Sequence, residues 1–176
     1  MLERPQSECL AETVIAEMIT NVPRAGHRQR VYLLPGALHA SAEPSQLTTI
    51  LGSCVAVCLW DTALQIGGMN HFLLPASRED QGSSMRFGNM ATVELLKRLL
   101  ALGSHRRNLV AKIFGGAALF RTEEHYASSL GAKNVECAIA MMANAGIPVA
   151  AQGTGGTSGR KLIFNTDDGS AWSRQV

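Results

Sequence analysis

Aromatic residues are scarce in this chain. Phe, Trp and Tyr make up 5% of its 176 residues, too few for the stacking platforms that hold single-stranded nucleic acid. An excess of one charge is also lacking. Sixteen Lys and Arg face fourteen Asp and Glu, for a net +2, so no field argument favours a nucleic-acid partner. No apolar run comes near the ~20 residues that a membrane-crossing helix needs. The N-terminus has no signal-peptide layout, because Glu3, Glu8 and Glu12 break any apolar stretch. Neither Cys-x-x-Cys nor His-x-x-x-His spacing occurs, which disfavours zinc. These absences lead us to expect a cytoplasmic chain with no membrane insertion and no zinc site.

Cysteine is sparse too: Cys9, Cys54, Cys58 and Cys137. A disulfide framework is not expected in a chain of this size without an export signal. Cys54 and Cys58 would share one face of a strand at ~13 Å, beyond the ~7 Å reach of a bridge. Cys58 and Cys137 read as small buried hydrophobes.

Apolar side chains are plentiful. Hydrophobic content of 46% is enough for one full core. The chain divides into an N-terminal extension, residues 1–29, and a single domain, 30–176. In the extension, Leu10, Val14, Ile15, Met18 and Ile19 fall at helical spacing before a basic, turn-rich stretch. In the body, strands are expected at Val31–Leu34, Leu47–Leu51, Val55–Trp60, Ile66–Leu74, Leu109–Phe114, Ile147–Ala151 and Arg160–Asn165. Ala37–Ser45 and Ser77–Gly88 read as loops. A helix over Met90–Leu102 would be capped by Asn89 and closed by Gly103. A second, over Val135–Ala145, would be capped by Asn134 and closed by Gly146. Many strands and few helices predict an α+β fold: layered mixed β-sheets flanked by two or three helices, as in cysteine hydrolases.

Two residues carry the chemistry. Cys54 ends Leu51-Gly52-Ser53-Cys54, at the head of one apolar run. His71 ends Gly67-Gly68-Met69-Asn70-His71, at the head of another. The connection between the runs, Asp61–Gln65, is short enough for neighbouring strands. Imidazole can take a thiol proton, and thiolate is a nucleophile. Gly52 frees the backbone near the sulfur, so amide N–H groups there could hold an oxyanion. A hydroxyl from Thr48 or Thr49 could orient the imidazole, as could Asp61, although a turn role suits Asp61 better. A buried strand-end cysteine and β propensity account for the same residues equally simply. The loop Gly153–Gly159 lacks the Lys-Ser/Thr of a phosphate loop and precedes a strand, so a wall beside a site fits it better than a nucleotide cradle.

Several segments, in order, resemble the chemoreceptor glutamine deamidase family of bacterial chemotaxis (CheD). They are Leu51-Gly52-Ser53-Cys54-Val55-Ala56-Val57, Gly67–Pro75, Arg86-Phe87-Gly88, Ala111–Ala117 and Gly155-Gly156-x-x-Gly159-Arg160. Residues before about Gln29 lie outside the match. Leu130–Asn134 is a loose version of the family's Ile-Gly-x-Arg-Asn, and Gln152-Gly153-Thr154 departs from its usual acidic residue. The resemblance implies a Cys–His–Thr site with Cys54 as nucleophile, His71 as base and Thr48, six residues before the cysteine, as the third member. Gly52, Ser53, Asn70, Gly155 and Gly156 would lie near the substrate or its oxyanion. It implies methyl-accepting chemotaxis receptors as protein substrates, hydrolysis of glutamine carboxamides to glutamate, and a CheC-type phosphatase as a further partner. A docking module with the same fold, or a thiol peptidase or transglutaminase, is the alternative.

Overall fold

The computed structural model describes residues 28–76, 84–118 and 129–176. The expected N-terminal helix, Cys9 and most of the Ser77–Gly88 loop lie outside the described residues. Among the described residues, nine strands form two mixed sheets. β1 (Gln29–Tyr32), β3 (Ser45–Leu51), β8 (Arg160–Asn165) and β9 (Ala171–Gln175) make a four-stranded sheet in the order β1-β3-β8-β9. β2 (Leu38–Ser41), β4 (Val55–Asp61), β5 (Ile66–Asn70), β6 (Leu109–Gly115) and β7 (Val149–Thr154) make the second, in the order β2-β5-β4-β6-β7. Two helices, α1 (Gly88–Ala101) and α2 (Leu130–Ala145), complete the described elements with a short 3-10 turn at Arg106–Asn108. The α+β expectation of layered mixed sheets with two helices therefore holds.

The central strand β4 explains the layering. It runs Val-Ala-Val-Cys-Leu-Trp-Asp and is buried at all but one position, as a strand covered on both faces must be. Val55, Val57 and Leu59 point to one side and pack with Leu95 and Leu99 of α1 and Ala138 and Met142 of α2. Ala56 and Cys58 point to the other and pack with Leu47 and Leu51 of β3 and Leu162 and Phe164 of β8. The five-stranded sheet thus lies between the helices and the four-stranded sheet. β6 and β7 are parallel neighbours, and α2 supplies the crossover that parallel strands require.

Several boundaries differ from the sequence reading. β2 occupies residues taken as loop, and β9 follows the Thr166–Gly169 turn where no strand was expected; both are short edge strands. α2 starts five residues earlier than expected, because Ser129 rather than Asn134 is its cap: the Ser129 hydroxyl accepts from Ala132 N–H at 3.1 Å. α1 begins at Gly88 with no side-chain cap, and Asn89 lies inside it. The C-terminal signals hold, with Gly103 and Gly146 at φ 97° and 67°. Asp61 takes the turn role, accepting from the N–H groups of Ala63 and Leu64 at 2.9 Å each. Cys58 is fully buried, and burial pushes its thiol far above the ordinary range.

The alternation of faces makes a checkable contrast. Leu59 is fully buried and Trp172 of β9 is 55% exposed. Leu59→Ala should lower unfolding free energy by about 2–5 kcal/mol, whereas Trp172→Ala should stay within about 0.5 kcal/mol. Urea denaturation of both variants measures the difference.

Candidate active site

The site lies at one end of the gap between the two sheets, and strand register builds it. Cys58 pairs with Met69 in the β4–β5 ladder. The same register continues past the end of β5 to a bridge between Val55 and Phe72. Those two residues exchange both backbone hydrogen bonds, at 3.1 and 3.0 Å. Their side chains belong to the helix-side core. Side chains alternate along a strand, so Cys54 and His71 both turn toward the other sheet. Cys54 indeed packs against the inter-sheet cluster. The two residues stand diagonally across the ladder, a relation that puts backbones about 7–8 Å apart and within side-chain reach.

The third member comes from β3. Leu47, Thr49 and Leu51 are buried there and face inward. Thr49 Oγ1 lies 2.8 Å from His71 Nδ1. Thr48, which the family spacing points to, sits on the outward face, where its strand neighbours are Tyr32 and Ile163. The threonine beside His71 is therefore Thr49, and strand alternation turns Thr48 to the opposite face.

Thr49 also settles the imidazole tautomer. A hydroxyl has one proton, and Thr49 Oγ1 donates it to the Leu33 carbonyl at 2.7 Å. Toward His71 it can only accept, so Nδ1 carries the ring proton and Nε2 keeps a lone pair. That Nε2 is buried and has no hydrogen-bond partner among the described residues. Burial lowers the His71 pKa below its ordinary value, partly offset by the nearby Leu33 carbonyl. Burial likewise raises the Cys54 thiol, partly offset by its own backbone N–H. Both directions favour a neutral imidazole and a neutral thiol over the ion pair.

The loop bearing Cys54 is held by its carbonyls. Gly52 C=O accepts from Ala117 N–H at 2.8 Å, and Cys54 C=O from Gly116 N–H at 2.8 Å. Ser53 C=O accepts from the Asn134 side-chain amide at 2.9 Å. In a planar trans peptide the following N–H points opposite to the C=O. The peptide after Cys54 obeys this, since Val55 N–H goes to Phe72. The N–H groups of Ser53 and Cys54 point away from their anchored carbonyls and make no bond to another described residue. The turn that supplies the anchors depends on Gly115 (φ 109°), where a Cβ would strike the Cys54 carbonyl.

Three more of the residues expected near the site, Asn70, Gly155 and Gly156, have partners within the fold. Asn70 is fully buried, but its carboxamide faces the helices: Oδ1 accepts from Val57 N–H at 2.9 Å and Nδ2 donates to Thr92 at 3.2 Å. Its carboxamide ties β4 to α1. Gly155 N–H is taken by the Gly115 carbonyl at 2.9 Å, and Gly156 C=O accepts from Ala118 N–H at 2.8 Å. This loop is fastened to the turn behind Cys54, with the Arg160 guanidinium on the carbonyls of Gly153 and Gly155. Asn134 is the site residue that helix-cap reasoning missed. Among the described residues no group of three or more His, Cys, Asp or Glu could hold a metal, and no helix is long and apolar enough to cross a membrane.

A family model for CheD chemotactic sensory transduction matches residues 73–175, more than half of the chain. The chain belongs to this family. It is 47% identical over 154 residues, 88% of this chain and 89% of the relative, to "Probable chemoreceptor glutamine deamidase CheD 1" of Anaeromyxobacter dehalogenans. It is 44% identical to the "Probable chemoreceptor glutamine deamidase CheD" of Trichlorobacter lovleyi, across 80% of this chain and 87% of the relative. A protein of that name in Methanococcus vannielii is 39% identical over 80% of this chain and 91% of its own length. The CheD family model begins just after His71, but a match over 88% of the chain necessarily takes in residues 49–71.

Long-range proton–nitrogen NMR should find His71 protonated at Nδ1 when neutral. Its titration midpoint should lie below the ordinary ~6.5. Thr49→Val should disturb both signals, and Thr48→Val neither.

Proposed function

We propose that this CheD-family chain is a cytoplasmic protein-glutamine deamidase that hydrolyses glutamine carboxamides on chemoreceptors to glutamate. The observation that carries this reading is the Thr49–His71 hydrogen bond, which frees Nε2 on the face shared with Cys54. The names of the relatives supply the substrate class.

The chemistry balances without a cofactor. His71 Nε2 takes the Cys54 proton as the sulfur attacks the carboxamide carbon. Thr49 accepts from Nδ1–H and keeps the ring oriented while it becomes cationic. The oxyanion meets the N–H groups of Ser53 and Cys54, already turned outward by their anchored carbonyls. Collapse of the intermediate expels ammonia, which takes the proton from Nε2. Water, deprotonated by the same nitrogen, then attacks the thioester; the carboxylate leaves and the thiol recovers its proton. One glutamine and one water become one glutamate and one ammonium ion, because the second proton of the water ends on the released ammonia. The reaction leaves a new negative charge on the receptor.

The neutral resting pair gives the pH dependence its sign. Nε2 can accept only when His71 is neutral, and burial places that titration below the ordinary ~6.5. The rate kcat/KM should therefore fall on the acid side, with its midpoint below that value, and stay level through neutrality.

Intact mass of a receptor cytoplasmic fragment tests the activity. Incubation with wild type should add about one mass unit per modified glutamine through loss of ammonia and gain of water, with none added by Cys54→Ala. Chain cleavage or cross-linking would favour a peptidase or transglutaminase. No change with wild type across several receptor fragments would leave a docking module.

A further inference from the structure

We infer that Asn134 is a positioning residue that holds the nucleophile and the base in register. The kinetic part of this inference rests on the deamidase reading; the geometric part does not.

The β4–β5 ladder stops at the Val55–Phe72 pair. The next residues outward are Cys54 on one side and Leu73 on the other. Past that point the chain offers carbonyls: Ser53 C=O on the nucleophile side and Leu73 C=O on the base side. Two carbonyls cannot bond each other. The Asn134 side chain enters between them, and Nδ2 donates to Ser53 O and to Leu73 O, each at 2.9 Å. A primary amide has two N–H donors, and both are used. The side chain acts as one more rung, on the residue before Cys54 and the residue two after His71.

Packing alone does not call for this residue. Asn134 is fully buried, at 0% accessibility. Its neighbours on the buried face of α2 are Gly131, Ala132, Val135 and Ala138. Its Oδ1 is buried without a partner among the described residues, a state that costs folding stability. Local rules broken in this way tend to mark function. The helix is also brought unusually close. A Cβ on Gly131 would strike the Gly116 carbonyl, and one on Gly116 would strike Val135 and lie 2.9 Å from the Gly131 carbonyl. This contact between two glycines lets a side chain as short as Asn reach Ser53.

The test uses Asn134→Ala and Asn134→Ser in the full chain, with rates expressed per folded molecule. Receptor-fragment deamidation should show kcat reduced by about a hundredfold in Asn134→Ala, as expected for a slight misplacement of reacting groups, with KM little changed. Asn134→Ser, which keeps one donor, should fall between Asn134→Ala and wild type, and it carries the test if Asn134→Ala does not fold. In parallel, iodoacetamide labelling of Cys54, followed by peptide mass mapping across pH, should move toward the profile of His71→Ala. A kcat per folded molecule and a labelling profile both equal to wild type would overturn the inference and leave Asn134 a structural residue. If wild type itself releases no ammonia, the deamidase reading fails, and the labelling profile still decides the role of Asn134.

Discussion

The site depends on one backbone pair. Val55 and Phe72 exchange two hydrogen bonds and so fix how the strand that follows Cys54 meets the segment bearing His71. Side-chain direction in a strand has a period of two, so a slip by one residue would send one of the pair to the opposite face. Such a slip would move Cys54 or His71 among the helices. The register is guarded by burial on both sides of β4, where Val57 and Leu59 fit the helix layer and Ala56 and Cys58 fit the sheet layer. The core is therefore what aligns the two reactive groups.

Burial also determines their charge. Removing water disfavours the imidazolium and the thiolate alike. Both shifts favour a neutral resting pair, as the lowered His71 and raised Cys54 indicate. A thiol is less prone to oxidation and to attack on stray electrophiles than a thiolate. The proposed base must then act when the substrate is in place, and Thr49 keeps its free nitrogen ready by holding the proton on the other one.

The strands of the inner sheet were legible because continuous apolar runs mark β4 and β6. Cys54 and His71 were legible because each heads such a run. Edge strands β2 and β9 were not: Leu-His-Ala-Ser and Ala-Trp-Ser-Arg-Gln bury little and show no clean alternation. Thr49 could have been found. Leu47 and Leu51 are two residues to either side of it, and apolar residues at that spacing define the inward face. Counting back from the cysteine instead led to Thr48. Asn134 was misread because a helix cap is the common local role of asparagine. Its actual partners are Ser53 and Leu73, 81 and 61 residues away in sequence, and no local pattern encodes them.

The glycines around the site follow from the same geometry. They approach neighbouring backbone: Gly115 against Cys54, Gly116 against Gly131, Gly155 against Gly115. Each lets one chain segment approach another's carbonyls. Pinning the carbonyls of Gly52, Ser53 and Cys54 orients three successive peptide planes. One of the resulting N–H groups closes the ladder at Phe72, and the other two are left facing outward. Donors fixed in this way need no reorganisation when negative charge develops in front of them, which is where most of the benefit of an oxyanion hole arises. On the proposed mechanism, a near-neutral chain with no metal cluster among its described residues would stabilise the anion with dipoles alone, provided the anchors behind the loop stay in place.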